Sequence, residues 1–241
     1  MKETVDLGGG YTLFQPEGVY PCGTDAVLLA AFAAENGEGV RFCDLCCGSG
    51  VIAVLVCKRR SDVAFAAVDI SKVACDAAAK NAGVNGLTGR ISVAQGDVKE
   101  VDKLFEKAAF DCVTVNPPYM KAGGGRPPAD ELTRIAVQET LCTAADVIRA
   151  SAYLLRDGGG LFIVHREERR EELLSLMRVS GLCPKLIRPV LHEPGAKSGI
   201  FLAFAVKGSD GEAEEKPLIL YENGAYTPEA ARIYGEVSYG I

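Results

Sequence analysis

The chain has 241 residues, 48% of them hydrophobic, and its 26 basic against 32 acidic side chains give a net charge of −6. That length fits one large domain with a sizeable core, and the acidic balance weighs against a protein that grips nucleic acid through overall positive charge. No stretch reaches the roughly 18 uncharged apolar residues of a membrane span, no leader of basic then apolar residues opens the chain, and the nine cysteines, odd in number and partly inside apolar runs, read as reduced thiols in a cytoplasmic protein.

Residues 1–39 form an N-terminal extension with a helix from Thr24, as its cap, through Ala34. From 40 to 207 apolar runs recur at Val40–Leu45, Val63–Ile70, Ile91–Gln95, Phe110–Val115, Gly160–Val164, Lys185–Leu191 and Ile200–Val206, each reading as a strand buried on both faces. Helical patterns lie between the early ones: Ser49–Arg60, then Ser71–Ala82 with Ser71 as N-cap and Gly83 as stop, then a long stretch from Asp130 to Leu155. The last two strands follow each other with no helix between them. These seven strands predict a Rossmann-like α/β fold: a mostly parallel open sheet, helices on both faces and an antiparallel strand at one edge. Lys121–Asp130 (KAGGGRPPAD) and Ser209–Lys216 (SDGEAEEK) read as loops, the second exposed. Residues 217–241 read as a strand, an Asn223-Gly224 turn and a short helix opened by Thr227 and Pro228.

The first core strand runs into FCDLCCGSGVIA. Gly48-x-Gly50-x-x-Ala53 satisfies the loose pattern in which glycines let backbone approach a ligand at a helix N-terminus. By itself that pattern is weak, since structural tight turns share it. Asp69, at the tip of the second core strand, stands where a ribose diol needs an acceptor. Two further acids argue for S-adenosylmethionine over a nicotinamide dinucleotide. Asp44 closes the first core strand, where it would repel a pyrophosphate and attract a cationic methionine end. Asp97, with Val98, closes the third, where an adenine amino group can donate. Cys43 and Cys46 also spell C-x-x-C, but with only His165 and His192 as histidines a metal site lacks ligands, so none is expected and packing is the preferred reading.

The fourth core strand ends in Asn116-Pro117-Pro118-Tyr119. Each proline holds the residue before it extended and carries no N–H. The result is a rigid rim on which the Asn116 side-chain oxygen and the Pro117 carbonyl accept from one planar –NH2 group, with the Tyr119 ring to stack on its flat bearer. Such an amine is a poor nucleophile, and acceptors on its hydrogens favour the pyramidal nitrogen that develops only as a methyl group arrives.

The acidic strand ends and the glycine turn resemble the class I methyltransferases, with Cys46 in place of the first motif glycine. Asn-Pro-Pro-Tyr resembles the amino-methyltransferases, which act on adenine N6, cytosine N4, guanine N2 or a glutamine side chain. Phe14-Gln15 with Gly23-Thr24-Asp25-Ala26-Val27-Leu28-Leu29-Ala30, Val164-His165-Arg166 with Glu168-Arg169, and Pro217 through Pro228 resemble the bacterial family that methylates adenine N6 beside the anticodon of valine tRNA. The resemblance implies S-adenosylmethionine held by Asp44, Gly48, Gly50, Asp69, Asp97, Val98 and Asn116, and catalysis by Asn116, Pro117 and Tyr119. It implies tRNA held by Pro118, Tyr119, Lys121, Arg126 and Arg166, helped by Arg134, Arg169 and Arg170. A monomer with no metal and no membrane partner is favoured. Basic residues at 58–60, 166, 169–170 and 185/188 form either one functional face or ordinary solvated helix ends. A ribosomal RNA guanine or a protein glutamine remains as substrate, and a silent RNA-binding scaffold or a nicotinamide oxidoreductase as function.

Overall fold

The computed structural model describes residues 4–117 and 142–235. A short antiparallel hairpin, β1 (Thr4–Gly8) and β2 (Tyr11–Phe14), leads into helix α1 (Thr24–Asn36). Then come β3 (Arg41–Leu45), α2 (Val51–Arg59), β4 (Ala64–Asp69), α3 (Lys72–Val84), β5 (Ile91–Gln95) and β6 (Phe110–Val115). The remainder is α4 (Ala144–Leu154), β7 (Leu155–Arg166), α5 (Arg170–Val179), β8 (Leu182–Leu191), β9 (Ile200–Lys207), the two-residue strands β10 (Glu214–Glu215) and β11 (Leu218–Ile219), a hairpin of β12 (Tyr221–Glu222) and β13 (Ala225–Tyr226), and α6 (Pro228–Tyr234).

The seven long core strands lie in the order β8-β9-β7-β6-β3-β4-β5, and β10 and β11 both pair with β8. Strands β7, β6, β3, β4 and β5 run parallel, whereas β9 is antiparallel to both its neighbours. The antiparallel strand therefore lies one place in from the edge, and β8 beyond it runs in the parallel sense. Both faces of the sheet are buried because successive strand residues feed opposite layers. Phe42, Cys112 and Phe162 join the cluster built on α1 and α2, while Cys43, Val113 and Leu161 join the one built on α4 and α5. Residues 26–33 of α1 are all buried, so this helix belongs to the core.

Local chemistry sets most element ends. The Ser71 hydroxyl caps α3 and the Thr227 hydroxyl caps α6, with Pro228 in its first turn. Asn223 and Gly224 both adopt positive φ, the primed turn an Asn-Gly pair favours in a two-residue hairpin. Four expectations change. Helix α1 is entered from Gly23 with no side-chain cap at Thr24. Helix α3 runs through Gly83 to Val84 and stops at Asn85 and Gly86, where φ is 68°. Strand β7 begins at Leu155, because α4 passes straight into it. Within the acidic stretch Glu214 and Glu215 pair with β8 as β10. Of the long helical stretch from Asp130 only Ala144 onward is described. No helix among the described residues is long and apolar enough to cross a membrane.

Two asparagines fasten the N-terminal hairpin to the core. The fully buried Asn81 accepts from Phe14 N (2.7 Å) and donates to Phe14 O and to Ser49 O (2.9 Å each). Asn85 bonds Thr12 N and O in the same manner. The hairpin thereby fixes where the chain from 15 to 23 returns toward α1.

Candidate active site

The turn after β3 is built for close approach of backbone. Gly48 has φ 54° and open space where a Cβ would stand, while Gly50 has φ 76° and sits against α3, where a Cβ would lie 3.0 Å from that of Ala78. Between them Ser49 is held by Asn81. Cys46, where the first motif glycine is expected, has φ 56°, the left-handed region that a non-glycine residue enters at a cost. The position demands that conformation, and Cys46 meets it. Its thiol is hydrogen-bonded to that of Cys142, which pushes its ionisation well above the usual thiol range, and burial adds to the push.

The three acids differ in environment. Asp44 is fully buried; its Oδ1 accepts from the Thr114 hydroxyl at 2.7 Å and its Oδ2 has no hydrogen-bond partner. Burial raises its pKa to about 7, the Thr114 bond opposes the rise and the charge of Asp69 adds to it. Asp69 is also raised by burial, against the backbone N–H groups of Ser71, Gly48 and Ile70. Its two oxygens accept from Gly48 N and Ser71 N at 2.9 Å each, so this carboxylate braces the glycine turn and the start of α3. Each oxygen keeps a further lone pair for a ligand. Asp97 accepts from Lys99 N (2.9 Å) and heads the 3-10 turn Val98–Lys103.

One cavity of about 490 Å³ opens at the carboxyl ends of these strands, where ligands of open α/β sheets bind. Its wall brings together Gly48, Asp69, Asp97, Val98, Asn116, Pro117 and Arg166, all expected from the sequence. Asp44 and Gly50 are not on the wall. Asp44 is fully buried next to the turn, and Gly50 is spent on packing α2 against α3. Tyr119, Pro118, Lys121, Arg126 and Arg134 lie outside the described residues. The sequence reading missed Thr114, a lone hydroxyl in the apolar Val113–Val115 run, and the wall supplied by Tyr20–Gly23, whose irregular chain has no periodicity to read.

The charges around the cavity bear on what fits it. Asp69 and Asp97 are in the wall and Asp44 is close to Asp69; of the cations, Arg166 is in the wall, Lys99 pairs with Asp97 at 3.3 Å, and the Lys72 ammonium on the rim is paired with Asp76 at 2.7 Å. Acceptors and negative charge suit a cation carrying a diol and an amine and oppose a pyrophosphate. Most of the basic clusters turn out to be internal ties. Arg169 is buried on Glu172, and Arg170 bonds Glu167 and Glu215, which removes both from the expected phosphate grip. Lys58 and Arg59 donate to Leu7 O and Ile233 O, Arg60 to Gly37 O and Gly39 O, Lys185 to Asp210 O, and Arg188 to Glu229. His165 is buried, its Nδ1 accepting from Arg166 N (2.9 Å), and burial lowers its pKa to about 4. It is a neutral strand-end residue. All nine cysteines are free thiols, and among the described residues no group of three His, Cys, Asp or Glu side chains is disposed to hold a metal ion.

A family model described as the methyltransferase small domain matches residues 10–183. The chain belongs to that family. A tRNA1(Val) (adenine(37)-N6)-methyltransferase of Porphyromonas gingivalis is 31% identical over 88% of this chain and 86% of its own length. A protein of the same description from Parabacteroides distasonis is 30% identical over 72% of this chain and 71% of its own length. Among solved structures, a predicted O-methyltransferase from Agrobacterium tumefaciens aligns with a TM-score of 0.72 at 24% identity, covering 90% of this chain and 98% of that one. The fold is that of the class I methyltransferases, and this methyltransferase small-domain protein carries its glycine turn, acidic strand ends and Asn116-Pro117 at the positions where that fold opens its cavity.

Proposed function

We propose that the protein transfers a methyl group from S-adenosylmethionine to adenine N6 of tRNA, at adenine 37 of the valine tRNA that its relatives are named for. The observation that carries this reading is the sharing of one cavity wall by Asp69, Asp97 and Asn116-Pro117. The residues present fit the cofactor: two accessible acceptors, a glycine turn with room for backbone approach, and in Asp44 a buried carboxyl oxygen with no hydrogen-bond partner beside them. Asp69 is assigned to the ribose diol, Asp97 and Val98 to the adenine, and the Gly48 turn to the methionine end, with Asp44 contributing negative charge from behind.

S-adenosylmethionine, when bound, supplies an electrophilic methyl group on a sulfonium. The Asn116 amide oxygen and the Pro117 carbonyl accept the two hydrogens of the target amine and turn its lone pair toward that methyl. These acceptors gain strength as positive charge develops on nitrogen, so they bind the transition state more tightly than the ground state. Tyr119 is assigned to stacking on the base, and Lys121, Arg126 and Arg166 to the RNA backbone. The protein is expected to act in the cytoplasm as a monomer.

A planar amide offers the same two hydrogens, and a ribosomal protein uL3 glutamine methyltransferase of Bradyrhizobium diazoefficiens is 39% identical over 35% of this chain. The test is incubation with radiolabelled S-adenosylmethionine and tRNA from a strain lacking its own enzyme, followed by nucleoside analysis. Label in N6-methyladenosine supports the proposal. Label in protein, with the RNA unlabelled, replaces it with the glutamine reading.

A further inference from the structure

The carboxyl end of β8 carries a group of rings outside the cavity. Tyr221 N donates to His192 O at 2.8 Å and Leu220 N to Leu191 O at 2.9 Å, so the β12–β13 hairpin is tied to the chain leaving β8. Four aromatic rings then follow one another: His192 to Tyr221 at 4.7 Å, Tyr221 to Tyr226 at 4.6 Å with an interplanar angle of 27°, and Tyr226 to Tyr234 at 5.4 Å and 29°. Tyr226 holds the adjacent Tyr221 phenol above its usual range.

We propose that the stacked rings of Tyr221 and Tyr226, seated on Tyr234 and with the His192 ring tilted at 42° against Tyr221, form a platform on which an unpaired base of the RNA loop stacks while the target adenine is in the cavity; this rests on the proposed RNA substrate. Three observations carry it. A stack that served only to fasten the hairpin would bury its rings. Tyr234 is indeed buried, but Tyr226 is 47% exposed and His192 is exposed. Among the described phenylalanines and tyrosines just two are strongly exposed, Tyr226 and Tyr20, and Tyr20 is in the cavity wall.

The platform also stands at the carboxyl end of the sheet, the end at which the cavity opens. Strand β8 runs in the same sense as β7, so its end faces the same way as Asn116 and Arg166. Burial pushes the Tyr234 phenol upward, and the charge of Asp25, a cavity-wall residue, adds to that push along with Tyr226 and Tyr221. Finally the rings are pre-ordered. The Asn223-Gly224 turn, the Thr227 hydroxyl on Ile219 O (2.7 Å) and Thr227 N on Leu220 O (2.9 Å) hold the hairpin before any ligand arrives, so little ordering opposes binding. Bases splayed from RNA loops are recognised by such aromatic faces.

Lys197 shares the β8–β9 loop with His192, but Glu193 and Glu222 lie alongside. The platform is therefore not a basic patch, and its share of binding comes from stacking. That gives a signature. Removing a phosphate-binding cation flattens the dependence of affinity on salt, whereas removing a stacking ring lowers affinity by the same factor at every salt concentration.

The experiment compares wild type with Tyr226→Leu, His192→Ala and Tyr226→Phe, measuring KM and Kd for an anticodon stem-loop transcript at two salt concentrations, kcat, and S-adenosylmethionine affinity. Tyr226→Leu and His192→Ala are expected to raise KM and Kd for RNA by about 5- to 100-fold, the range of a lost base–ring stack, with an unchanged salt slope, kcat and cofactor affinity. Tyr226→Phe keeps the ring and is expected to stay within about threefold of wild type. If wild type methylates the transcript and the variants match it, the platform is not an RNA surface and the proposed function stands. Self-association of wild type abolished by Tyr226→Leu, with RNA affinity unchanged, would make the rings a contact between copies and overturn the proposal. Ring-dependent RNA binding without any methyl transfer would keep the platform and remove the proposed reaction. Neither binding nor transfer would remove both.

Discussion

The two halves of the sheet treat their polar groups in opposite ways. Around β3, β4 and β5 carboxylates gather at the cavity: Asp69 and Asp97 are in its wall, Asp97 also pairing with Lys99 at 3.3 Å, and Asp44 keeps a buried oxygen without a partner. Around β7, β9 and β8 the charged groups pair mainly with one another, although Glu167 Oε2 and Arg170 Nε stay buried without a hydrogen-bond partner. Arg169, Arg170 and Arg188 are each paired with a glutamate, and beyond β8 the rings of His192 and Tyr226 are exposed. A buried polar group left open costs stability unless something else pairs with it. On the proposed function, one half is shaped for a small polar ligand and the other chiefly by its own internal ties.

The largest way to test that division is Asn116→Ala. It removes one of the two acceptors that the proposed function assigns to the amine and leaves the acid wall intact. Methyl transfer should fall by about 10³-fold, as for loss of one preorganised transition-state partner, with cofactor affinity by calorimetry within about twofold of wild type. Parallel loss of both would mean that Asn116 belongs to the cofactor half alone.

Next in size is the tie that keeps the cavity wall in place. Asn81→Ala deletes three hydrogen bonds to Phe14 and Ser49 from a fully buried site, so unfolding free energy from a urea titration should drop by about 3 kcal/mol, near 1 kcal/mol for each. Because the same side chain holds both the hairpin and the glycine turn, cofactor affinity should weaken with it. Weakened binding with no change in stability would show that the hairpin is held by packing instead.

Much of this was legible in the chain, where the cause is local. Ser71, Thr227 with Pro228, and Asn223-Gly224 each set a cap or a turn through their own side chains or φ, and the doubly apolar runs announced a sheet covered on both faces. What the chain withheld depends on distant partners. The insertion of β9 between β7 and β8 is a choice of neighbours, not of propensity. Gly83 reads as a stop only until Asn81 and Asn85, on the same turn of α3, are seen holding β2. Arg169 and Arg170 look like free cations until Glu172, Glu167 and Glu215 fold against them. At the site, the acids and Asn116 were legible as residue types at strand ends, but no pattern tells that Asp44 is sealed in while Asp69 is open.

Asp44 gives the third test. In the ligand-free protein its pKa is raised to about 7 from 3.8, and a cation in the cavity favours the ionised form. Cofactor affinity should therefore weaken as pH falls below about 7, by up to about tenfold per unit, with a proton released on binding that calorimetry in two buffers would detect. The stability sign is opposite. A group whose folded pKa is raised contributes stability that is present in full below its unfolded pKa and is lost as pH rises through about 7. Asp44→Asn should abolish both dependences and weaken binding by about tenfold at pH 8, from the lost charge. A wild-type affinity flat from pH 5.5 to 8 would mean that the Asp44 field does not reach the ligand.

The smallest effect is expected at Cys46, where the two halves meet: it ends the β3 turn and its thiol bonds Cys142, just before the Thr143 cap of α4. Cys46→Gly relieves a left-handed non-glycine residue, worth roughly 1–2 kcal/mol, but gives back about 0.5–1 kcal/mol in unfolded-chain freedom and loses the thiol contact. The net change in stability should stay within about 1 kcal/mol, and cofactor affinity within about threefold, because the glycine would adopt the φ that Cys46 already has. A tenfold gain in affinity would mean that the side chain obstructs the cofactor. A tenfold loss would mean that the sulfur touches it, and that the open half of the sheet extends one residue further than its acids indicate.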